Sequence, residues 1–432
     1  MGKTPEGEAQ SDILTDPDRP APLRLHRPFL LLWSGQTLSM VGSEVSVLVL
    51  PLIAVELLGA TTFQTALLTF FGSLAFLLIS LPAGVVVDRV DKRRLMLGCD
   101  LARMVLIGSI PVTALWGGVT LGQLYAVVAT AGALTVFFDI AAQSYLPVLV
   151  DRSQLADGNG KLGASASVAQ LAGPSLAGAL VTVMGLARTV ALDAASYALS
   201  VVSLLLIRTP GPPPEPPRAP TAAGTPRAAA FRAAVAEGLR FVLRDPVLRA
   251  IVACTATSNF FITAIESVQM VYLTRTLHAR PAQIGLILGF GAVAGLAGGL
   301  LAGRLSARVG SARIIWVSLL VPGVLYVLLP LAGTGAGLTL YALGWAALSL
   351  AAVVYNTAQI SYRQAICPPE LLGRMNASVR WVVWGTMPLG ALFGGALGTW
   401  IGLRPCMWFC ALGAWAAGLL LLLSPLRRMR DQ

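Results

Sequence analysis

The sequence is poor in charge and in histidine. Only 12% of its 432 residues are Asp, Glu, Lys or Arg, it has two histidines, and 56% of the chain is hydrophobic. So little charge cannot cover the surface of a soluble globular protein of this length. The composition therefore indicates an integral membrane protein. Residues 1–27 hold no separate apolar segment ahead of a cleavage site, so we expect no removable signal peptide.

Several chemical motifs are missing as well. The glycine-rich phosphate-binding loop that ends in Lys-Ser or Lys-Thr does not occur, which argues against direct coupling to ATP. No nucleophile, base and orienting group can be assembled from the motifs present, so we expect neither an enzyme nor a cofactor. The cysteines show no metal-type spacing, and we expect no metal site and no disulfide among Cys99, Cys254, Cys367, Cys406 and Cys410.

Long apolar segments dominate the chain instead. A membrane span needs roughly 20 apolar residues, because about 1.5 Å of helical rise per residue must cross about 30 Å of hydrocarbon. The sequence predicts an all-α integral membrane fold with twelve transmembrane helices in two pseudo-symmetric six-helix bundles. The predicted spans are 28–56, 64–87, 95–117, 121–146, 164–186, 188–207, 248–273, 282–303, 313–332, 336–360, 377–401 and 405–424.

The net charge of +11 is concentrated on one side of the predicted helices. If the N-terminus is cytoplasmic, 27 of the 31 basic residues lie on the inner side, and the outer loops hold only Arg188, Arg275, Arg280 and Arg404. This distribution follows the positive-inside rule. We therefore expect both termini in the cytoplasm, a location in the cell (inner) membrane, and no nucleic-acid partner.

The chain also looks doubled. Residues 155–186 match residues 372–403 without gaps, and this alignment pairs Gly173 with Gly390 and Gly178 with Gly395. Residues 208–230 are rich in proline and cannot bury an apolar face, so we expect a linker there. An amphipathic helix should follow it at the inner membrane interface, or alternatively as a soluble linker helix. The predicted tail, bundle, linker, bundle and tail are 1–27, 28–207, 208–247, 248–424 and 425–432.

The segment GVVVDRVDKRR, residues 84–94, places six charges between the second and third predicted spans. A weaker copy, GLLAGRLSARVG, begins at Gly299 in the second half of the chain. The position between two spans is typical of a charged hinge at a membrane surface. Basic residues that only enforce the topology would explain the segment too.

With the doubled pattern, the segments GVVVDRVDKRR, LPVLVDRSQLADGN and QLAGPSLAGAL make the chain resemble the major facilitator superfamily, in its macrolide- and enterobactin-exporter-like branch. The resemblance implies a transporter with two six-helix bundles and a substrate cavity between them. It also implies a cytoplasmic gate formed by Gly84, Asp88, Arg89, Arg93 and Arg94. Asp88 would accept hydrogen bonds from the N-terminus of helix 11 and so hold the outward-facing state.

Two further features follow the same resemblance. Asp139, near the inner end of helix 4, would pair with the basic residues of the gate, or it is a plain helix-end carboxylate. The sequence GPSLAG resembles the helix 5 antiporter motif of drug exporters and contains Gly173, Pro174 and Gly178. Tight packing of small residues explains that motif equally well. Asp91 stands where the family's gate has a glycine, so the turn is expected to differ.

Two glutamates lie deep in predicted helices. Glu44 and Glu266 lie equally far after the last inner arginine of their helices, Arg27 and Arg249, so both should sit near the middle of the bilayer. A carboxylate there costs about 2.5 to 3.5 kcal/mol on insertion scales, so each should face the cavity or a partner, and each could carry a proton. We predict that Glu44 is the main proton or cation-recognition site and Glu266 its partner. A carboxylate simply hydrogen-bonded within the bundle is the alternative.

Uncharged polar residues in the predicted helices complete the candidate site. We expect hydrogen-bonding groups to reach the cavity from Gln36, Asn259, Gln269, Asn356 and Gln359. Helix 4 lacks the membrane-embedded arginine found in many proton-driven drug exporters, and Arg103 in helix 3 lies near an inner helix end. Proton coupling would therefore have to work without that helix 4 residue.

Together these patterns predict a secondary active transporter that exports an amphipathic small molecule in exchange for protons by alternating access. The resemblance favours a drug, a macrolide-like compound or a siderophore as the cargo, and we expect a monomer in the lipid bilayer. A uniporter or importer of the same fold is one alternative. A non-transporting membrane sensor or assembly protein is the other, because a fold alone does not establish an activity.

Overall fold

A computed structural model describes residues 23–87, 89–207 and 240–429. This part of the chain contains twelve helices long and apolar enough to cross a membrane. They are α1 Arg27–Leu57, α2 Thr62–Val87, α3 Lys92–Ala114, α4 Leu121–Leu149, α5 Leu155–Met184, α6 Leu186–Leu206, α7 Pro246–Thr276, α8 Pro281–Val309, α9 Arg313–Leu331, α10 Leu338–Ile366, α11 Pro369–Trp400 and α12 Leu403–Leu422.

The observed helices confirm the predicted all-α fold, with differences at the helix starts. α5 and α11 begin at Leu155 and Pro369, well before the predicted spans that start at 164 and 377. Their first turns are polar, as in LADGNGK at the start of α5, and an apolar-segment count registers only the part of a helix that lipid surrounds. Both helices therefore extend past their membrane-spanning segments.

Six helices form each half, and the halves repeat the same packing. In the first half α1 packs on α5 and α6, and α4 packs on α2 and α3; in the second half α7 packs on α11 and α12, and α10 packs on α8 and α9. α1 and α7 both finish in a π-helical turn, Ile53–Leu57 and Tyr272–Thr276. Gly185 and Gly402, which the sequence alignment pairs, both adopt positive φ angles where α5 and α11 turn into the next helix. The sequence repeat is thus a structural repeat.

At one end of the bundle the starts of α2 and α8 meet the ends of α11 and α5. We call this side the closed end; it includes loops 58–61 and 277–280. The opposite side, the terminus end, carries the first and last described residues, Leu23 and Met429. The halves also touch nearer the middle, where the ring centroids of Phe76 and Trp384 are 4.5 Å apart. Near the closed end Trp116 and Trp400 are 79% and 86% exposed, as is typical of aromatic side chains at a membrane interface.

Some predictions fall on residues that the structure does not describe. These are Asp88 of the gate, residues 1–22 of the N-terminal tail, residues 430–432 of the C-terminal tail, and residues 208–239 of the linker with most of its predicted interfacial helix.

Candidate transport site

α5 and α8 cross in close contact at two glycines, and this contact joins the halves at the closed end. A Cβ atom placed on Gly178 would lie 2.5 Å from the carbonyl oxygen of Pro281 and 3.1 Å from Cα of Gly285. A Cβ on Gly285 would meet the carbonyl oxygen of Pro174 at 2.5 Å. Both obstacles are backbone atoms, which a rotamer change cannot move. The predicted GPSLAG motif therefore lies at the contact between the two halves.

The same contact recurs between α2 and α11. Gly395 is the counterpart of Gly178 in the repeat, and it packs on Ala66, which is the counterpart of Gly285. A Cβ atom on Gly395 would lie 2.5 Å from that of Ala66. A guanidinium nitrogen of Arg275 also donates to the carbonyl oxygen of Ala60, 2.7 Å away in the other half. Two symmetry-related contacts and a hydrogen bond thus close this end.

A cavity of about 580 Å³ lies between the halves, bounded by α5 on one side and by α7, α8 and α10 on the other. Its lining is mainly apolar, from residues such as Leu171, Ile262 and Leu296. Glu266 is the one charged residue of this lining. The uncharged residues that bring polar atoms to it are Ser167, Gln170, Asn259, Trp345 and Ser349.

The two predicted glutamates occupy different surroundings. Glu266 lines the cavity and is exposed into it, whereas Glu44 is half-buried against Gly173 of α5 and is not part of this lining. Within the described ranges neither carboxylate has a hydrogen-bond or ion-pair partner. Alignment of the two π-helical turns places Thr263, not Glu266, opposite Glu44. Glu266 therefore lies nearly one helical turn closer to the closed end than a symmetric partner of Glu44 would.

The predicted uncharged residues separate into one that lines this cavity and four that do not. Asn259 lines it. Gln36, Gln269 and Gln359 are buried, with 5%, 7% and 3% of their surface exposed, and the Gln359 amide donates to Asn356 at 3.4 Å. Sequence reasoning missed Ser167, Gln170, Trp345 and Ser349, because only the packing of the helices reveals which face of each borders the space.

The basic residues of the predicted gate lie at the terminus end. Arg93 donates from Nε to the carbonyl oxygen of Leu204 at 2.9 Å and from a guanidinium nitrogen to that of Leu205 at 3.1 Å, which ties α3 to the end of α6. Gly84 stands near the end of α2, Arg89 is exposed after it, and Arg94 belongs to the first turn of α3. Among the described residues none of these arginines forms an ion pair with a carboxylate.

Asp139 has no ion-pair partner among the residues that the structure describes. The charge of Arg103 on α3 acts on its carboxylate, which belongs to the part of α4 nearer the terminus end. The pairing of Asp139 with the gate residues stays a prediction. The gate itself remains a prediction, because Asp88 lies outside the described residues.

A cluster of buried charged residues lies inside the first half, and sequence reasoning missed it. Arg103 pairs with Asp100 on the same helix, and Asp193 of α6 accepts a hydrogen bond from Ser46 of α1. Asp100, Asp193 and Arg103 are 0%, 1% and 3% exposed. A signal was present, because these charges stand inside apolar segments and Asp100 and Arg103 share one face of a helix. Within the part of the chain described, no group of three or more His, Cys, Asp and Glu side chains is arranged to hold a metal ion.

Comparison with known sequences assigns the family. The model of the Major Facilitator Superfamily matches residues 32–377 and 259–431. These ranges cover most of the chain, and the protein belongs to the Major Facilitator Superfamily. It is a transporter of that family and not an enzyme.

Individual relatives are distant but extend over nearly the whole chain. The multidrug efflux pump Tap of Mycolicibacterium fortuitum is 25% identical over 389 residues, 87% of this chain and 90% of Tap. Macrolide efflux protein A of Streptococcus pyogenes is 22% identical over 397 residues, 89% of this chain and 92% of that protein. A crystal structure of a variant of the nucleoside transporter NupG superposes with a TM-score of 0.74 at 12% identity, covering 92% of this chain and 99% of NupG. That likeness concerns the fold.

Proposed function

We propose that the protein exports amphipathic small molecules, preferably cations, across the cell membrane in exchange for protons. The observation that carries this proposal is the cavity between the halves, in which Glu266 is a single charged group without a described partner. The efflux pumps similar to this chain support the direction of transport. The proposed cycle moves the two halves between states in which one end or the other is closed.

The distribution of basic residues supports an inward-facing orientation for this structure. The four arginines predicted outside, Arg188, Arg275, Arg280 and Arg404, all belong to the closed end, whereas the GVVVDRVDKRR segment lies at the terminus end. By the positive-inside rule the terminus end faces the cytoplasm. The closed end is then the outer side.

The cavity's dimensions and lining support the cargo class. Its volume of about 580 Å³ falls within the range of roughly 300 to 1,000 Å³ that is usual for drug-sized ligands. Apolar walls suit an amphipathic body, and the Glu266 carboxylate suits a positively charged group on it. Asn259 and Gln170 offer hydrogen bonds on opposite sides, one from each half. A cargo that touches both halves can bias the equilibrium between the two states.

The outward-facing state needs the terminus end to close. We assign that contact to Gly84, Asp88, Arg89, Arg93 and Arg94, with Asp88 accepting hydrogen bonds from the start of α11. In that state the Gly178 and Gly395 contacts separate. Glu44, packed on Gly173 directly before Pro174, would then move together with α5.

Replacement of Glu266 tests the proposed cargo site. Glu266→Gln keeps the size of the side chain and removes its charge. A hydrogen bond or ion pair to a charged group contributes about 1.5 to 3 kcal/mol, so binding of the cationic dye ethidium is expected to weaken about 10- to 150-fold. Binding of an uncharged dye of similar size should change little. Dye fluorescence with purified protein measures both affinities.

The matched control is Glu56→Gln, the same change at an exposed carboxylate in the closing turn of α1 and outside the cavity lining. It should leave both affinities as in the wild type. Equal loss of charged and uncharged dye binding in Glu266→Gln would mean that the substitution only disturbs packing. Unchanged ethidium binding would reject Glu266 as the recognition group.

A further inference from the structure

The first half contains more buried negative than positive charge. Asp100 accepts from Ser200 at 2.6 Å and pairs with Arg103, and Arg103 donates to Thr135 at 3.2 Å. Asp193 has hydroxyl donors, Ser46 and Ser196, but no ion-pair partner among the described residues. The Arg103 Nε atom is buried without a hydrogen-bond partner in the described structure. One arginine is thus buried together with two aspartates.

Electroneutrality among the buried groups therefore favours one bound proton. If Asp100 and Asp193 were both ionised, Arg103 would compensate one of them and leave one negative charge buried within a membrane-embedded bundle. A buried unpaired charge is strongly unfavourable, and protonation is the usual way for a carboxylate to avoid it. Asp193 is the buried carboxylate that lacks an ion-pair partner. A proton on Asp193 therefore removes the negative charge that Arg103 leaves unpaired.

The fold does not need these charges, as the second half shows. Alignment of the π-helical turns places Ile265 where the first half has Ser46, and alignment of Gly402 with Gly185 places Cys410 where it has Asp193. Ile265 and Cys410 are both fully buried. α7 and α12 therefore pack as α1 and α6 do without any carboxylate at this position. The Ser46 and Asp193 pair is an addition to one half, and packing alone does not account for it.

The cluster extends from the terminus end toward the middle of the bundle. At about 1.5 Å per residue, Asp100 lies about 12 Å and Asp193 about 20 Å from that end. Between them the guanidinium of Arg103 covers the rings of Phe138 and Tyr197, with its carbon 4.5 and 4.7 Å from their centroids. Asp139 is the exposed member of the group. The group thus includes an exposed carboxylate as well as the two buried ones.

The arginine also determines which cation the cluster can take. A metal cation beside Asp193 would be repelled by Arg103, whose charge acts on the Asp193 carboxylate. A proton binds covalently to one oxygen and cancels the charge without needing a coordination shell. The hydroxyl groups of Ser46 and Ser196 can hydrogen-bond either form of the carboxyl group.

Asp193 contacts α1, and α1 packs on the part of α5 that leads to the closed end. A Cβ atom on Gly42 would lie 2.5 Å from Oδ1 of Asp193, so α1 and α6 are in close contact there. The same helix α1 presses Glu44 against Gly173, in the turn of α5 that precedes Gly178 of the closing contact. A change in the hydrogen bond between Ser46 and Asp193 therefore acts on the helix that supports α5.

We propose that Asp193, supported by Asp100 and Arg103, binds the exchanged proton and that its protonation state sets the position of α1 against α5 and α6. The proposal rests on the proton exchange in the proposed function, and it assigns the proton to α6 where sequence reasoning assigned it to Glu44. When the closed end opens, Asp193 takes up a proton from the outside. In the inward-facing state it releases the proton toward the terminus end.

The titratable and charged groups around Asp193 come from three helices. α3 contributes Arg103, whose charge acts on Asp193, together with its partner Asp100, and α4 contributes Asp139, on which the same arginine acts. On α6 itself Tyr197 hydrogen-bonds Ser43 of α1 at 2.8 Å. On the side of α1 that faces α6, the polar groups are the hydroxyls of Ser43 and Ser46. The carboxylate of α1, Glu44, packs on α5 instead. All of these groups shape the pH response of Asp193.

The test compares two kinds of ethidium transport in proteoliposomes. Asp193→Asn imitates the protonated carboxyl group, so exchange of labelled for unlabelled ethidium without a gradient should persist. Accumulation driven by an imposed pH gradient should fall to the level seen with the gradient collapsed, and a sodium gradient should have no effect on either protein. Asp157→Asn makes the same change at an exposed carboxylate that pairs with Lys161, and it should retain gradient-driven accumulation. Glu44→Gln, measured alongside, should retain it too.

Each result separates the two proposals. Gradient-driven accumulation in Asp193→Asn at the wild-type rate overturns the assignment of the proton to Asp193, and its loss in Glu44→Gln alone assigns the proton to Glu44. Wild-type protein without any gradient effect overturns the proposed proton exchange itself. If Asp193→Asn yields no folded protein, Asp193→Glu replaces it. A shifted pH profile of gradient-driven transport in that variant supports the assignment, and an unchanged profile contradicts it.

Discussion

Gly178→Leu is expected to reduce transport strongly while leaving the protein folded. Its side chain would collide with the backbone of Pro281 and Gly285 in the state described here. Overpacking of this kind costs about 1 to 3 kcal/mol or more, which reduces the inward-facing population about 5- to 150-fold relative to the outward-facing one. The halves separate at this contact in the outward-facing state, so that state tolerates the leucine. Gly285→Leu should have the same effect from the other half.

The population shift can be measured as a distance. Spin labels on cysteines introduced at Gly118 and Gly333, in the loops after α3 and α9, report the separation of the halves at the closed end. Gly178→Leu should convert short distances to long ones. The matched control is Gly163→Leu, on the same helix but with no atom within 4 Å of its Cβ position, and it should keep the wild-type distribution. Short distances and normal transport in Gly178→Leu would show that the closing contact lies elsewhere.

Arg103→Met should destabilise the fold by about 3 to 5 kcal/mol, because it leaves Asp100 buried without its cation. The double variant Asp100→Asn with Arg103→Met removes both charges and should recover much of that loss. Denaturant unfolding in detergent, followed through tryptophan fluorescence, measures the difference between the single and double variants.

Arg380→Met provides the comparison for this second prediction. Arg380 is exposed and lies over the ring of Trp384, with 3.9 Å between the guanidinium carbon and the ring centroid. A cation–π contact at an exposed site contributes about 0.5 to 1 kcal/mol, so a small loss is expected. If Arg103→Met lowers the free energy of unfolding no more than Arg380→Met does, Asp100 and Arg103 do not form a buried ion pair.

The sequence was sufficient for the fold because the bilayer imposes a simple rule on it. Twelve apolar segments and the internal repeat predicted twelve helices in two halves, and the structure confirms that fold. The π-helical turns that end α1 and α7 were not predictable, since they are local changes in hydrogen bonding. Their alignment shows that Glu44 and Glu266 are not symmetric partners, although their equal distance from inner arginines suggested it.

The site was less predictable because depth in the membrane does not determine which way a side chain faces. Gln36 and Gln269 have suitable depths but are buried between helices, whereas Gln170 and Ser349 border the cavity. Depth in the membrane points to the glutamates in the first helix of each half and does not single out Asp193. Its importance follows from the contact of α6 with α1, which no spacing within one helix can reveal.

The most direct test of proton-coupled export is ethidium transport into inverted membrane vesicles that contain the protein. With an acidic vesicle interior, the protein should accumulate the dye against its gradient, and collapse of the pH gradient should release it. Dye movement at the same rate with and without the gradient would contradict proton exchange and leave facilitated diffusion. No movement of the dye by folded protein would contradict the proposed cargo class.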